Sequence, residues 1–100
     1  MATIHNYFVY ILECIDKSYY VGVTNDLDIR IQQHTNGENI SSYTFTLRPV
    51  VLKYYKRFGQ IGHAIEFDKQ VKGWSRKKKE ALFSEDWDEI VRLSNLKKEE

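Results

Sequence analysis

The sequence predicts a small mixed α/β domain, a three-stranded and mostly antiparallel sheet flanked by helices, in the order ββαβααα. Three observations predict it. Tyr7–Glu13 (YFVYILE) and Ser18–Val23 (SYYVGV) are rich in aromatic and β-branched residues and are separated by a short polar gap, which reads as a β-hairpin. A third run of the same character, Pro49–Phe58, opens on the only proline, at a position where a strand can begin. Helical spacing with caps fills the intervals.

The first helical interval runs from Asn25 to Gly37. Asn25 or Asp26 can cap its start, Asp28 adds an acid to the first turn, Leu27 and Ile31 share a face, and Asn36-Gly37 closes it. After the third strand a helix spans about Gln60 to Lys72 and ends near Gly73, with Ala64, Phe67, Val71 and Trp74 as its buried stripe. A short helix starts at Ser75. Ser84 then caps a last helix over 85–97, with an acidic first turn (Glu85, Asp86, Asp88) and an apolar stripe of Trp87, Ile90 and Val91. No linker, repeat or low-complexity stretch interrupts the chain, so residues 1–100 read as one domain.

Composition removes several classes. With 42% hydrophobic and 29% charged residues, the chain is neither a disordered segment nor a membrane protein, and no apolar run approaches the roughly 20 residues of a span. The single cysteine, Cys14, has no internal partner, and no export signal is visible at the start; a reducing, cytoplasmic compartment is expected. The net charge of +1 excludes a protein that is basic all over. It also conceals a division: residues 1–52 carry −2, residues 53–79 carry +7 and residues 80–100 carry −4. The central band is dense enough to be a polyanion footprint, although a solvated Lys-rich helix face gives the same count.

Four features could carry chemistry. Tyr10 and Tyr20 have the same parity, and a register pairing residues that sum to 30 sets them opposite each other on one sheet face; such pairs commonly just stabilise sheets. Arg30 and His34 are neighbours one helical turn apart, suited to gripping a phosphate and relaying a proton, or else a surface pair without a role. Asp68 projects between Ala64 and Val71, inside the buried stripe of the second helix, whereas Glu66 points to solvent. A carboxylate on an apolar face needs a cation, so Asp68 is either a metal ligand or salt-bridged to Arg30 or a lysine. Finally, Lys69–Lys79 supplies Lys69, Lys72, Arg76, Lys77, Lys78 and Lys79 as candidate nucleic-acid-binding residues, with Trp74 anchoring the helix to the core.

Taken together, these residues resemble a GIY-YIG nuclease domain of the small stand-alone type, related to the nuclease module of the bacterial excinuclease C subunit. The resemblance sets the first signature triplet at Val9-Tyr10-Ile11, the second at Tyr20-Val21-Gly22, and the following arginine and histidine at Arg30 and His34. Ser42-Tyr43-Thr44, Arg48-Pro49-Val50 and Lys72-Gly73-Trp74-Ser75-Arg76 extend it over residues 6–83. It implies hydrolysis of DNA phosphodiesters, branched or damaged DNA included, with one divalent cation, Mg²⁺ or Mn²⁺. Tyr10 and Tyr20 would orient or deprotonate the water, Arg30 would stabilise the phosphate, and His34 would support proton transfer. The metal-binding glutamate of the family corresponds to Asp68, which shortens the reach by one methylene; displacement of about 1 Å can cost on the order of 100-fold in rate. Val9 replaces the family glycine, and the asparagine that often follows the metal ligand has no counterpart, Asn95 lying too far along the tail. The expected function is thus a metal-dependent endonuclease, attenuated by Asp68. The alternatives are a nucleic-acid-binding module without catalysis, or a protein-interaction domain docking a partner through the acidic helix and Trp87.

Overall fold

A computed structural model of the chain describes residues 5–39 and 42–99, with side chains described through residue 95. Three strands, β1 (Tyr7–Glu13), β2 (Tyr19–Thr24) and β3 (Val51–Phe58), form one sheet in the order β2-β1-β3, antiparallel throughout. Among the described residues, four α-helices, α1 (Leu27–Asn36), α2 (Ile61–Lys72), α3 (Arg76–Phe83) and α4 (Trp87–Glu99), and one 3₁₀ turn at Phe45–Leu47 accompany the sheet. The predicted α/β architecture and element order are those observed.

β1 is central, and that explains its composition. Val9, Tyr10, Ile11 and Leu12 are all completely buried, because both faces of this strand are covered. Side chains alternate between the faces. Val9 and Ile11 join Val21, Tyr54, Ala64, Val71, Ala81, Leu82 and Ile90 in the main core, beneath α2, α3 and α4. Tyr10 points to the opposite face, where α1 brings His34 against it. The sheet thus separates a hydrophobic layer from a polar one.

The hairpin register differs from the expected pairing. Tyr10 stands opposite Gly22, and Tyr20 opposite Leu12, so partners sum to 32. The loop sets this. The Cys14 N–H donates to the Ser18 carbonyl and the Lys17 N–H to the Cys14 carbonyl, with Lys17 in the left-handed region at φ 72°. The Asp16 carboxylate accepts from both the backbone N–H and the hydroxyl of Ser18, which holds its pKa below the usual range. A two-residue offset preserves parity, so both tyrosines keep the same face but lie on a diagonal.

The helix caps follow the sequence with one exception. The Asp26 side chain accepts from the Ile29 N–H, Gly37 closes α1 at φ 66°, and the Ser75 hydroxyl accepts from the Lys78 N–H. The last helix is capped by Asp86, which accepts from the Glu89 N–H; Ser84 instead ends α3, its hydroxyl donating to the Ala81 carbonyl. The stripe expected on α4 is also narrower than predicted. Ile90 is buried in the core, whereas Trp87 and Val91 are exposed, because α4 packs chiefly on α3 and turns these two side chains outward, the Lys56 ammonium lying 5.7 Å from the Trp87 ring centroid. Likewise β3 starts at Val51, two residues after Pro49, since neither Pro49 nor Val50 pairs with β1.

Candidate active site

The polar face of the sheet is built around His34. Its Nε2 lies 2.9 Å from the Tyr10 hydroxyl and its Nδ1 lies 2.7 Å from Thr44 Oγ1, which in turn sits 3.1 Å from Ser42 Oγ. Tyr10 and Thr44 are essentially inaccessible, and His34 is buried. A neutral imidazole satisfies both contacts, one nitrogen donating and the other accepting. Burial, reinforced by the nearby Arg30 charge, lowers the His34 pKa and favours that neutral form. Burial likewise raises the Tyr10 pKa far above the ordinary phenol range. The neighbouring Tyr20 adds to the rise, and Arg30 opposes it without overcoming it.

The depressed His34 pKa has a consequence for stability. Unfolded His34 takes its proton at about pH 6.5, and the native residue takes it only at lower pH. Between these values the unfolded state binds more protons, so stability falls as pH falls. The melting temperature is expected to drop from pH 7 toward pH 5, and His34→Gln should flatten that drop. Thermal melts at half-unit intervals check this; equal slopes in the two proteins would contradict it.

Above this buried row lies an open concavity of about 230 Å³ whose wall includes Tyr20, Arg30, Gln33 and His34. The Tyr20 ring stands edge-on to His34 at 5.2 Å and lies 6.2 Å from Tyr10. Its other flank stacks on Tyr43, 6.2 Å away and 14° from parallel. Arg30 is half-exposed and lines this concavity and two adjoining ones. The four residues singled out on β1, β2 and α1 therefore converge, with Tyr20 and Arg30 facing solvent and Tyr10 and His34 behind them. Thr44 and Tyr43 belong to the same cluster; the sequence places them in the family resemblance but assigns them no chemical role. The available signal was the Ser42-Tyr43-Thr44 run, whose polar and aromatic side chains do not follow any strand or helix period.

Asp68 is buried on α2, as its position between Ala64 and Val71 required. One oxygen, Oδ2, lies 3.1 Å from the Lys72 ammonium; the other, Oδ1, is buried without a hydrogen-bond partner. A buried acceptor left unpaired is costly and marks a place where a cation or water would be stabilising. Among the described residues no group of three or more His, Cys, Asp or Glu side chains is arranged to hold a metal. A single carboxylate nevertheless suits a hard cation such as Mg²⁺, which keeps several waters and completes its shell with phosphate oxygens. Lys72 links the two regions, since it pairs with Asp68 and lines a second concavity beside Tyr20.

The basic residues divide into two groups. Arg76 is held internally: its guanidinium stacks 4.3 Å over the Tyr19 ring, donates to the Tyr19 hydroxyl and the Lys17 carbonyl, and pairs with Glu80 at 3.3 Å. Lys78 places its ammonium 4.3 Å over the Trp74 ring, and Trp74 packs against the core as expected. Lys69 and Lys77 are exposed, and Lys79 is half-buried beside Lys72 and Tyr20. Among the described residues no helix is long and apolar enough to cross a membrane.

The architecture and motif order have counterparts among known proteins. The family model of the GIY-YIG catalytic domain matches residues 6–81. A UPF0213 protein of Bacillus pumilus is 40% identical over 81 residues, covering 81% of this chain and 82% of the relative. The UPF0213 protein BH0048 of Bacillus halodurans, solved by solution NMR, is 42% identical, covers 79% of this chain and 83% of its own, and superposes with a TM-score of 0.52. The NMR structure of protein EF2693 from E. faecalis is 27% identical over 84% of this chain and 88% of its own, with a TM-score of 0.57. With Tyr10, Tyr20, Arg30 and His34 gathered on one face of a three-stranded sheet, and with relatives matched over most of their length, the chain belongs to the GIY-YIG catalytic-domain family, alongside the UPF0213 proteins.

Proposed function

We propose that this protein is an endonuclease that hydrolyses DNA phosphodiester bonds, branched or damaged DNA among them, at the concavity lined by Tyr20 and Arg30. The observation that carries the reading is the locked row Tyr10–His34–Thr44 behind an accessible tyrosine and arginine. Such a row fixes the groups in front of it, and fixed groups are what phosphoryl chemistry needs.

The roles follow from exposure. Arg30 can hold two phosphate oxygens through its planar fork and stabilise charge developing on them. Tyr20, half-buried, can orient the attacking water through its hydroxyl. Tyr10, with no accessible surface and a raised pKa, keeps its proton and positions His34. His34 has both ring nitrogens engaged, so in this account it supports Tyr10 and Tyr20 and does not itself touch the substrate. Asp68 would hold a divalent cation, Mg²⁺ or Mn²⁺, through the unpaired Oδ1. When bound, such a cation acidifies water and neutralises phosphate oxygens. Lys69, Lys72, Lys77, Lys78 and Lys79 supply attraction for the strand, while Arg76 braces α3 against β2.

Nicking of supercoiled plasmid and of branched DNA, with added metal and with EDTA, tests the reading; nicking abolished by EDTA is expected. Asp68→Glu, which restores the longer reach, should speed cleavage by about 10-fold or more, on the scale that a misplacement of about 1 Å costs. A second reading, binding without cleavage, draws on one observation: Lys72 already neutralises Asp68. It predicts DNA binding with no nicking in either protein.

A further inference from the structure

Beside Tyr20 lies a second concavity of about 290 Å³, lined by Tyr19, Tyr20, Val21, Tyr43, Lys72 and Lys79 and not by Arg30. Nothing in the roles assigned above uses it as a unit. Tyr43 is 55% exposed, a large ring left in water with no part in the core. It is nevertheless fixed at both ends: its ring stacks on Tyr20, and its hydroxyl donates to Ser18 Oγ at 3.1 Å. An exposed ring held flat in this way is a stacking platform.

The charges of the concavity suit an anion. Its lining includes two ammonium groups and no carboxylate. Lys72 shares its charge with Asp68, but its ammonium has three N–H donors and its side chain is 56% exposed. Lys79 makes no ion pair with any described residue, and burial lowers its pKa, so it is a cation short of both water and a counter-charge. A phosphate oxygen would relieve that deficit.

We propose that this concavity is a subsite for one unpaired nucleotide of a nucleic-acid strand, its base stacked on Tyr43 and its phosphate held by Lys72 and Lys79. In a duplex each base face is already covered, so a base reaching Tyr43 must have left the stack. The proposal rests on the nuclease reading and gives it a substrate class: a strand that is single or frayed next to the scissile phosphate. Because Tyr20 lines both concavities, the nucleotide in this subsite is adjacent to the phosphate at Arg30. Stacking tolerates any base, so the subsite selects for strandedness and not for sequence.

The test is binding in EDTA, which needs no cleavage. A fluorescein-labelled oligothymidylate of about 15 nucleotides and a labelled duplex of equal length are titrated by anisotropy against wild type, Tyr43→Leu, Tyr43→Phe and Lys79→Gln. Tyr43→Leu is expected to lose about 10-fold in affinity for the single strand and little for the duplex, whereas Tyr43→Phe keeps the stack and stays close to wild type. Lys79→Gln should reduce the slope of log affinity against log salt for the single strand by about 0.7, the value of one phosphate contact. Tyr43 is exposed, so an unchanged melting temperature checks that the variants fold. The proposal is overturned if Tyr43→Leu leaves single-strand affinity unchanged, or weakens single-strand and duplex binding equally. The two readings fail separately. Tyr43-dependent single-strand binding without nicking by wild type would end the nuclease reading and keep the subsite. Metal-dependent nicking with Tyr43-independent binding would do the reverse.

Discussion

Replacing Arg30 with alanine is expected to slow DNA cleavage by about 10²- to 10³-fold, the usual effect of removing one preorganised donor to a developing oxyanion. The fold should survive, because the side chain is half-exposed and its contribution is to the concavities it lines. Arg30→Lys should restore only part of the rate, since an ammonium keeps the charge but loses the planar pair of donors. Initial nicking rates under protein excess, with melting temperatures alongside, check both variants. A rate unchanged by Arg30→Ala would remove this residue from the chemistry. The same substitution should also let the His34 pKa rise, because the Arg30 charge is one of the two causes that depress it.

Gly22→Ala is expected to damage stability and site together. A methyl group at this position would lie 2.6 Å from the Tyr10 hydroxyl oxygen and 2.7 Å from the ring carbon bearing it. Tyr10 has no room to yield, being fully buried with its hydroxyl on His34. Forcing an extra methyl into such a site costs about 1–3 kcal/mol. For a domain of this size that lowers the melting temperature by about 10 °C, and the displaced ring should give up its hydrogen bond to His34. Thermal denaturation, with the His34 ring signals followed by NMR, measures both effects. Unchanged melting together with unchanged His34 signals would show that Tyr10 is not packed as described. Glycine at the end of the second signature triplet thus has a steric cause: the ring of the first tyrosine crosses over it.

Much of this arrangement was legible in the residues. The burial of Asp68 follows from its angular position between Ala64 and Val71, and no neighbour had to be known to infer it. The caps at Asp26, Gly37 and Ser75 are local chemistry, and local chemistry reads well. What failed to read depended on geometry between elements. The offset between Tyr10 and Tyr20 comes from the Asp16-Lys17-Ser18 loop, whose left-handed lysine no apolar pattern announces. Asp86 outcompetes Ser84 as a cap because α3 extends to Phe83 and takes Ser84 as its own terminus. Trp87 and Val91 fit an amphipathic stripe, yet of the three only Ile90 is buried, since periodicity states which residues share a face and not what meets it. The contact of Thr44 with His34 was invisible for a related reason: Thr44 reaches the ring from an irregular segment across ten residues of chain.

The basic band needs a similar adjustment. Charge counting weighed all six basic residues of 69–79 alike. The structure separates Arg76, committed to Tyr19 and Glu80, from Lys72 and Lys79, which face the concavity beside Tyr20. A charge is available to a partner only when the fold leaves it so.

The central claim is that Asp68 and the Tyr20–Arg30 concavity form one phosphodiester-cleaving site. Asp68→Ala tests it most directly, measured against wild type for nicking of branched DNA in Mn²⁺ and, in parallel, for binding of the same DNA in EDTA. Loss of nicking with binding retained is the predicted result. Nicking that persists at the wild-type rate in Asp68→Ala would contradict it.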